Sequence, residues 1–134
     1  MKKVLLYTVF LMSINFGMTQ AQDLHISPLE TVNKRMCFYN EHNFSDFIVL
    51  YAEDVKIYTY PDKLVGVGKE NIASIFKPKF AAKSIQVEIV SQMSNGNHVI
   101  NHEIVTEDGI ETKYVSIYEV INGSIKSVRF VRDY

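Results

Sequence analysis

The residues with the clearest capacity for chemistry are a histidine and its neighbours in the C-terminal half of the chain. His102 stands in the run His98-Val99-Ile100-Asn101-His102-Glu103-Ile104, where Ile100 and Ile104 share its parity. On a strand that parity defines one face, so the imidazole is expected among Ile89, Ile100, Ile104 and Val115. Burial disfavours the imidazolium and leaves a neutral ring that donates one hydrogen bond and accepts one. That is the equipment of a general acid or base acting on a carbonyl substrate. The same pattern suits a core histidine satisfied by a backbone carbonyl or by Tyr60, and both readings stand at this point. Glu103 follows His102 directly and so points to the opposite face, which excludes the two as an acid and base pair. His98, four residues away at ~3.3 Å per residue, lies too far from His102 to share a metal. It is expected at the rim, paired with Glu119.

Tyr58 and Tyr60 share a strand face, and each brings an apolar ring with a hydroxyl tip that either lines a pocket or simply reaches water. Arg35, one helical turn from Val32 and Tyr39, either closes a pocket mouth and binds an anionic group or lies on a solvated helix flank. The candidate ligand-contacting set is therefore Arg35, Tyr58, Tyr60, Ile100, His102, Val115 and Phe130, with His102 the candidate catalytic group. Cys37 is the single cysteine, so no internal disulfide can form, and its place in a helical apolar pattern reads as a buried, inert thiol. Gly66-Val67-Gly68 lacks the third glycine and the preceding parallel strand of a dinucleotide loop and reads as a turn into a helix. No metal, no cofactor and no nucleic-acid partner is expected, the last because the formal net charge of the chain is −1.

The elements that must position these groups follow from periodicity. Lys2-Lys3, the apolar run over 4–16 and Thr19-Gln20-Ala21 read as a cleavable signal peptide, 1–21, too short in its apolar part for a comfortable membrane span, an uncleaved membrane anchor being the alternative. The product is then secreted or periplasmic, free of the membrane after cleavage, with a tail over 22–27 and one domain over 28–132. Ser27-Pro28-Leu29-Glu30 is a helix start with cap, first-turn proline and capping glutamate, and Leu29, Val32, Met36 and Tyr39 recur at helical spacing. Asn43 caps a second, short helix with Phe44, Phe47, Ile48 and Tyr51 inward. From Asp54 the period becomes two, as in a strand that Pro61 ends. Gly68 opens a third helix with Ile72, Ile75, Phe76 and Phe80, which should stop or kink at Pro78.

Residues 84–132 contain Asn95-Gly96, Asp108-Gly109 and Asn122-Gly123 between β-rich runs, which predicts a four-stranded antiparallel meander with type I′ turns. Two-residue loops at these positions place Ile85, Val87, Ile89, Met93, Ile100, His102, Ile104, Val115, Ile117, Val128 and Phe130 on one face. Glu88 then opposes Glu103, an unfavourable pair that points to a one-residue shift in the first hairpin unless Arg129 or a partner compensates. The opposite face is rich in Tyr, Thr, Val and neutral polar residues. It predicts a homodimer with Glu103, Tyr114, Tyr118 and Arg129 near the contact. Three amphipathic helices beside a sheet with one apolar face must cover that face, giving an α+β half-barrel with a pocket at its open end.

Beyond these patterns, several stretches carry a resemblance. They are Tyr39-Asn40, the run over 44–55, Tyr60-Pro61, Gly66-Val67-Gly68-Lys69-Glu70, His98-Val99-Ile100-Asn101-His102-Glu103 and the run over 117–125. Together they resemble the SnoaL-like branch of the nuclear transport factor 2-like (NTF2-like) superfamily, related to ketosteroid isomerase. The resemblance implies an NTF2-like cone, three N-terminal helices on a curved, mainly antiparallel sheet, in a superfamily that includes isomerases, cyclases, ligand binders and trafficking adaptors. At the positions matching the isomerase base, tyrosine and protonated aspartate this chain has Tyr60, Arg35 and Val115 or Ser116, so that mechanism is not carried over. The same alignment places His102 toward the ligand, and SnoaL cyclases use a histidine and an aspartate, of which His102 could be the first. The expected function is binding of a small, largely apolar molecule in the cone. The alternatives are a cofactor-independent isomerase, cyclase or lyase using His102, and a protein-binding module.

Overall fold

The computed structural model describes residues 26–132. The expected signal peptide, 1–21, and the tail before residue 26 lie outside the described residues. Helix α1, Pro28–Asn40, begins where the sequence supplies its cap: Ser27 Oγ accepts the Glu30 amide at 3.1 Å, and Pro28 sits where a missing N–H is harmless. Asn43 caps α2, Phe44–Val49, by accepting the Asp46 amide at 3.3 Å. Strand β1, Tyr51–Thr59, starts earlier than the alternation from Asp54 implies, because Tyr51 already pairs with Ile125. After β2, Lys63–Val67, the chain enters α3, Lys69–Ala82, through Gly68 at φ 93°, a left-handed conformation that favours glycine. Of the stop or kink expected at Pro78, α3 does not show the stop. It continues to Ala82, because Phe80 in the last turn is buried against Tyr39, Phe44 and Phe47.

The meander forms as β3, Ile85–Asn95, β4, His98–Glu107, β5, Ile110–Ile121, and β6, Ser124–Arg132. The six strands lie in the order β2-β1-β6-β5-β4-β3, with β1 parallel to β6 and every other pair antiparallel. The last two loops are Asp108-Gly109 and Asn122-Gly123, all four residues at positive φ as a type I′ turn requires. The first loop is Gly96-Asn97 rather than Asn95-Gly96, since Asn95 pairs with His98.

Two bulges decide which residues face the helices. In β3, Ile89 pairs with Glu103 and Ser91 with His102, so Val90 is the extra residue. In β6, Ser127 pairs with Glu119 and Ile125 with Val120, so Lys126 is the extra residue. Each bulge shifts register by one, and a one-residue shift turns a strand's faces over relative to its neighbour. Between the bulges β4 and β5 are inverted together. Their helix-side residues are Val99, Asn101, Glu103 and Val105, and Tyr114, Ser116, Tyr118 and Val120, alongside Ile85, Val87, Ile89, Val128 and Phe130. The expected inward set of Met93, Ile100, His102, Ile104, Val115 and Ile117 is thereby corrected, Met93 lying beyond the first bulge opposite Ile100. The predicted Glu88–Glu103 opposition is absent, Glu88 pairing with Ile104.

The three helices pack on the concave face of the curved sheet. An aromatic cluster joins them, Phe47 lying 4.7 Å from Phe80 and 5.2 Å from Phe76 between ring centroids. Asn40 at the end of α1 docks on the edge strand β3, donating to Val87 O at 2.9 Å and accepting the Val87 amide at 2.8 Å. Those two bonds occupy edge groups that would otherwise be open to another strand.

Candidate functional site

Between the helices and the concave sheet face lies a cavity of about 520 Å³. Its walls are mainly apolar, with Ile57, Val87, Val105, Val128 and Phe130 from the sheet and Ile72 and Phe76 from α3. Near its mouth stand Tyr60, Ile75 and the ion pair of Lys79 Nζ with Glu107 Oε2 at 2.8 Å, with the exposed Arg132 beside them.

The polar floor is built around Arg35. Helix α1 carries it on the buried stripe of Val32, Met36 and Tyr39, so the guanidinium enters the interior, 4% exposed, and is not on a solvated flank. Its Cζ lies 5.4 Å from the Tyr39 ring centroid and 5.3 Å from those of Phe47 and Tyr118, a cation in an aromatic cage. Nε donates to Tyr51 Oη at 2.6 Å, and Nη1 is directed at Met36 Sδ at 3.4 Å. Burial by itself favours loss of the proton. The surrounding Tyr118, Tyr51 and Glu103 and the Tyr51 hydrogen bond outweigh it, so Arg35 is held above its ordinary range and stays a cation.

Glu103 balances that charge through space. It is 2% exposed, and its oxygens accept three hydrogen bonds. Oε1 takes Tyr118 Oη at 2.8 Å and Asn101 Nδ2 at 3.1 Å, while Oε2 takes Ser116 Oγ at 3.0 Å. Asn101 Oδ1 in turn accepts Gln92 Nε2 at 2.8 Å, which also reaches Asn33 Oδ1 on α1 at 3.0 Å. A buried carboxylate is tolerable when paired and hydrogen-bonded in this manner. Burial raises the hydroxyl pKa of Tyr51 and, well above the ordinary value, that of Tyr118, and it pushes Tyr39 up to about 12. All three therefore remain protonated donors at neutral pH.

Two polar atoms of this floor, Nη2 of Arg35 and Oη of Tyr39, have no hydrogen-bond partner among the described residues, and the Tyr51 hydroxyl, which accepts from Arg35 Nε, has no acceptor there for its own proton. Among the described residues no fully enclosed side-chain nitrogen or oxygen lacks a partner, so both of these atoms must meet the cavity that their residues line. A ligand acceptor placed there would satisfy them.

Of the residues singled out from sequence, Arg35, Tyr60 and Phe130 meet in this cavity, whereas Tyr58, Ile100, His102 and Val115 do not line it. His102 pairs with Val115 and Ser91 on the far side of the sheet, for the bulge reason above. Tyr58 alternates out of the cavity from Ile57 and lies under the Arg129 guanidinium, 4.4 Å from its ring centroid. The residues expected at a dimer contact divide as well. Glu103 and Tyr118 are buried on the helix side and Tyr114 lines the cavity, while Arg129 lies on the outer side, 3.4 Å from Asp62 Oδ1. Cys37 is exposed rather than buried. Its thiol donates to Glu41 Oε1 at 3.3 Å, which raises its pKa and keeps the reactive thiolate scarce. His98 does pair with Glu119, at 3.5 Å.

Sequence reasoning missed Glu103 with its donors, and Tyr39 and Tyr51 as cavity groups. The available signal was the polar alternation Asn101-x-Glu103 and Ser116-x-Tyr118 between flanking valines, which reads as a buried network once the strands are turned over.

A family profile described as a SnoaL-like domain matches residues 34–128. No curated protein matches the chain in sequence. Among solved structures, an NTF2-like protein of unknown function from Cytophaga hutchinsonii is similar at 17% identity and TM-score 0.70, covering 83% of this chain and 94% of that one. An uncharacterized cystatin fold protein from Novosphingobium aromaticivorans is similar at 25% identity and TM-score 0.71, covering 79% and 98%. An M. tuberculosis LEH-like epoxide hydrolase is similar at 13% identity and TM-score 0.65, covering 79% and 82%.

Proposed function

The chain belongs to the SnoaL-like domain family, and from that premise we propose that it binds one small, largely apolar molecule inside the cone, with an acceptor group of the ligand meeting Arg35. The observation that carries this reading is the buried guanidinium whose Nη2 opens into an apolar-walled cavity of about 520 Å³. That volume lies in the range of small-molecule sites, about 300–1,000 Å³, which are apolar enclosures with a few placed polar groups. Titration with the neutral apolar dye Nile red tests it. The wild type should bind with a fluorescence rise, and Val105→Trp, which fills the cavity from its wall, should bind far more weakly. Absence of binding by the wild type, or equal binding by both, overturns the proposal.

Two further features belong to the proposal. The N-terminal pattern of Lys2-Lys3, an apolar run and Thr19-Gln20-Ala21 supports export to the periplasm or beyond. The outer sheet face supports homodimerisation, now with Ile100, His102, Ile104, Val115 and Ile117 at its centre and Arg129 beside them.

A second reading, cofactor-independent isomerisation, cyclisation or lysis of a carbonyl substrate, is favoured by one observation: a carboxylate, Glu103, on the cavity wall. Proton transfer would then fall to Glu103 with Tyr39 or Tyr51 rather than to His102. Three of the roughly four acceptor positions of that carboxylate are already taken, so binding is the better reading.

A further inference from the structure

Resting on the binding reading above, we propose that the polar end of the ligand is a single carboxylate, as in a medium-chain carboxylic acid, held at the floor of the cavity by the Arg35 guanidinium and the Tyr39 hydroxyl. The argument starts from the contacts of Arg35. The residue is 4% exposed, yet everything its guanidinium touches is uncharged: the Tyr51 hydroxyl at 2.6 Å, the Met36 sulfur at 3.4 Å and the rings of Tyr39, Phe47 and Tyr118. Among the described residues no carboxylate forms an ion pair with it. Glu103 acts on it only through space, its oxygens being taken by Tyr118, Asn101 and Ser116. Tyr118 touches both groups, its hydroxyl 2.8 Å from Glu103 Oε1 and its ring centroid 5.3 Å from Arg35 Cζ. A charge removed from water is compensated best by an opposite charge in direct, hydrogen-bonded contact. A ligand carboxylate would supply the contact that the chain's own side chains do not.

The donors match that group. Nη1 gives one N–H to the Met36 sulfur and keeps its second, and Nη2 keeps both. In a planar guanidinium these make a two-donor edge, the kind that grips both oxygens of one carboxylate in parallel bonds. The hydroxyl protons of Tyr39 and Tyr51, which also line the cavity, stand beside it. Every open polar group of the floor is thus a donor, and a carboxylate, with two oxygens and about four lone-pair sites, uses more of them than a single carbonyl oxygen does.

Charge balance over the whole enclosure favours the same class. The charged side chains that line the cavity are Arg35, Lys79 and Arg132 against Glu103 and Glu107, a surplus of one positive charge. A monocarboxylate brings the enclosure to neutrality, whereas a neutral end leaves the surplus and a dianion overshoots it. The apolar remainder of such a ligand meets Ile72, Phe76, Val105, Val128 and Phe130.

The test uses the full chain at about pH 8, where a carboxylic acid is ionised. Octanoate is compared with its isosteric amide, octanamide, and with methyl hexyl ketone as competitors of Nile red. Octanoate should displace the dye at a concentration at least roughly tenfold lower than either neutral compound. Arg35→Lys keeps a cation opposite Glu103 but has no planar fork, and Tyr39→Phe keeps its ring and loses only the hydroxyl, so each should narrow that ratio several-fold. Using both variants, with folding checked by circular dichroism, keeps the test decisive if one of them does not fold. Octanoate that binds the wild type no more tightly than octanamide or the ketone, or a preference for octanoate that the folded variants leave unchanged, overturns this proposal while dye binding keeps the binding reading standing. Failure of the wild type to bind the dye removes the binding reading and this one with it.

Discussion

The two residues that matter most to the interior, Arg35 and Glu103, make contrasting demands on the fold. Each would be intolerable in an apolar core alone, and each is made tolerable by the other's field and by neutral donors and acceptors around it. Substituting Glu103→Gln leaves a similar shape but removes the compensating charge and turns an amide donor toward Tyr118, Asn101 or Ser116. The expected loss is about 3–5 kcal/mol, read as a fall in urea midpoint. His102→Ala, on the outer side of the sheet, should cost about 1 kcal/mol or less. If the two losses were reversed, the bulge-defined register would be wrong. The tyrosines add a pH dependence. Burial raises the Tyr39 hydroxyl to about 12 from an ordinary value of 10, so the native state holds a proton that the unfolded chain releases. The resulting stabilisation is complete below about pH 10 and is lost as pH rises through 12. Tyr39→Phe should flatten the fall in stability across that window, measured by denaturant midpoints at stepped pH.

At the level of elements, helix starts, turn residues and the meander were legible because their signals are local. Ser27 and Pro28, Asn43, Asp108-Gly109 and Asn122-Gly123 each act within a few residues of chain and sit where their chemistry says. The site was legible only in part, Arg35, Tyr60 and Phe130, because facing depends on register and register depends on bulges at Val90 and Lys126. A bulge has no distinctive residue here, since valine and lysine are also ordinary strand residues. The one long-range clue was the implied repulsion of Glu88 and Glu103. The bulge account predicts an asymmetry between two single-residue deletions. Removing Val90 excises the extra residue, so Ile89 still faces inward, Ser91 outward and Gln92 inward, and the protein should fold with a straighter β3. Removing His102 instead makes Asn101 and Glu103 neighbours on opposite faces, which drives one of them out of the network. That variant should lose its cooperative unfolding transition. Circular dichroism melts of the two deletions decide the matter, and equal damage from both would refute the assignment of Val90 as the bulge.

For the molecule as a whole, the sheet separates two surfaces with different duties. The concave side is closed by three helices and holds the cavity, while the convex side presents Ile100, Ile104, Val115 and Ile117 around His102, with Val115 38% exposed in the single chain. An apolar sheet face of this kind left in water is a liability that self-association removes, and a two-fold contact would place the same residues of two copies against each other. Introducing charge at its centre should therefore separate the copies without touching the ligand site on the other side. Val115→Lys is the informative change, since it replaces a side chain that points away from the cavity and borders His102. Sedimentation velocity at roughly tens of micromolar is expected to show a dimer for the wild type and a monomer for Val115→Lys. Nile red affinity should be equal in the two, because the cavity walls and Arg35 belong to each chain by itself. A wild type that sediments as a monomer would remove the case for the interface. Loss of dye binding together with dimerisation would mean instead that the cavity is shaped by the contact, tying the two surfaces through the sheet they share.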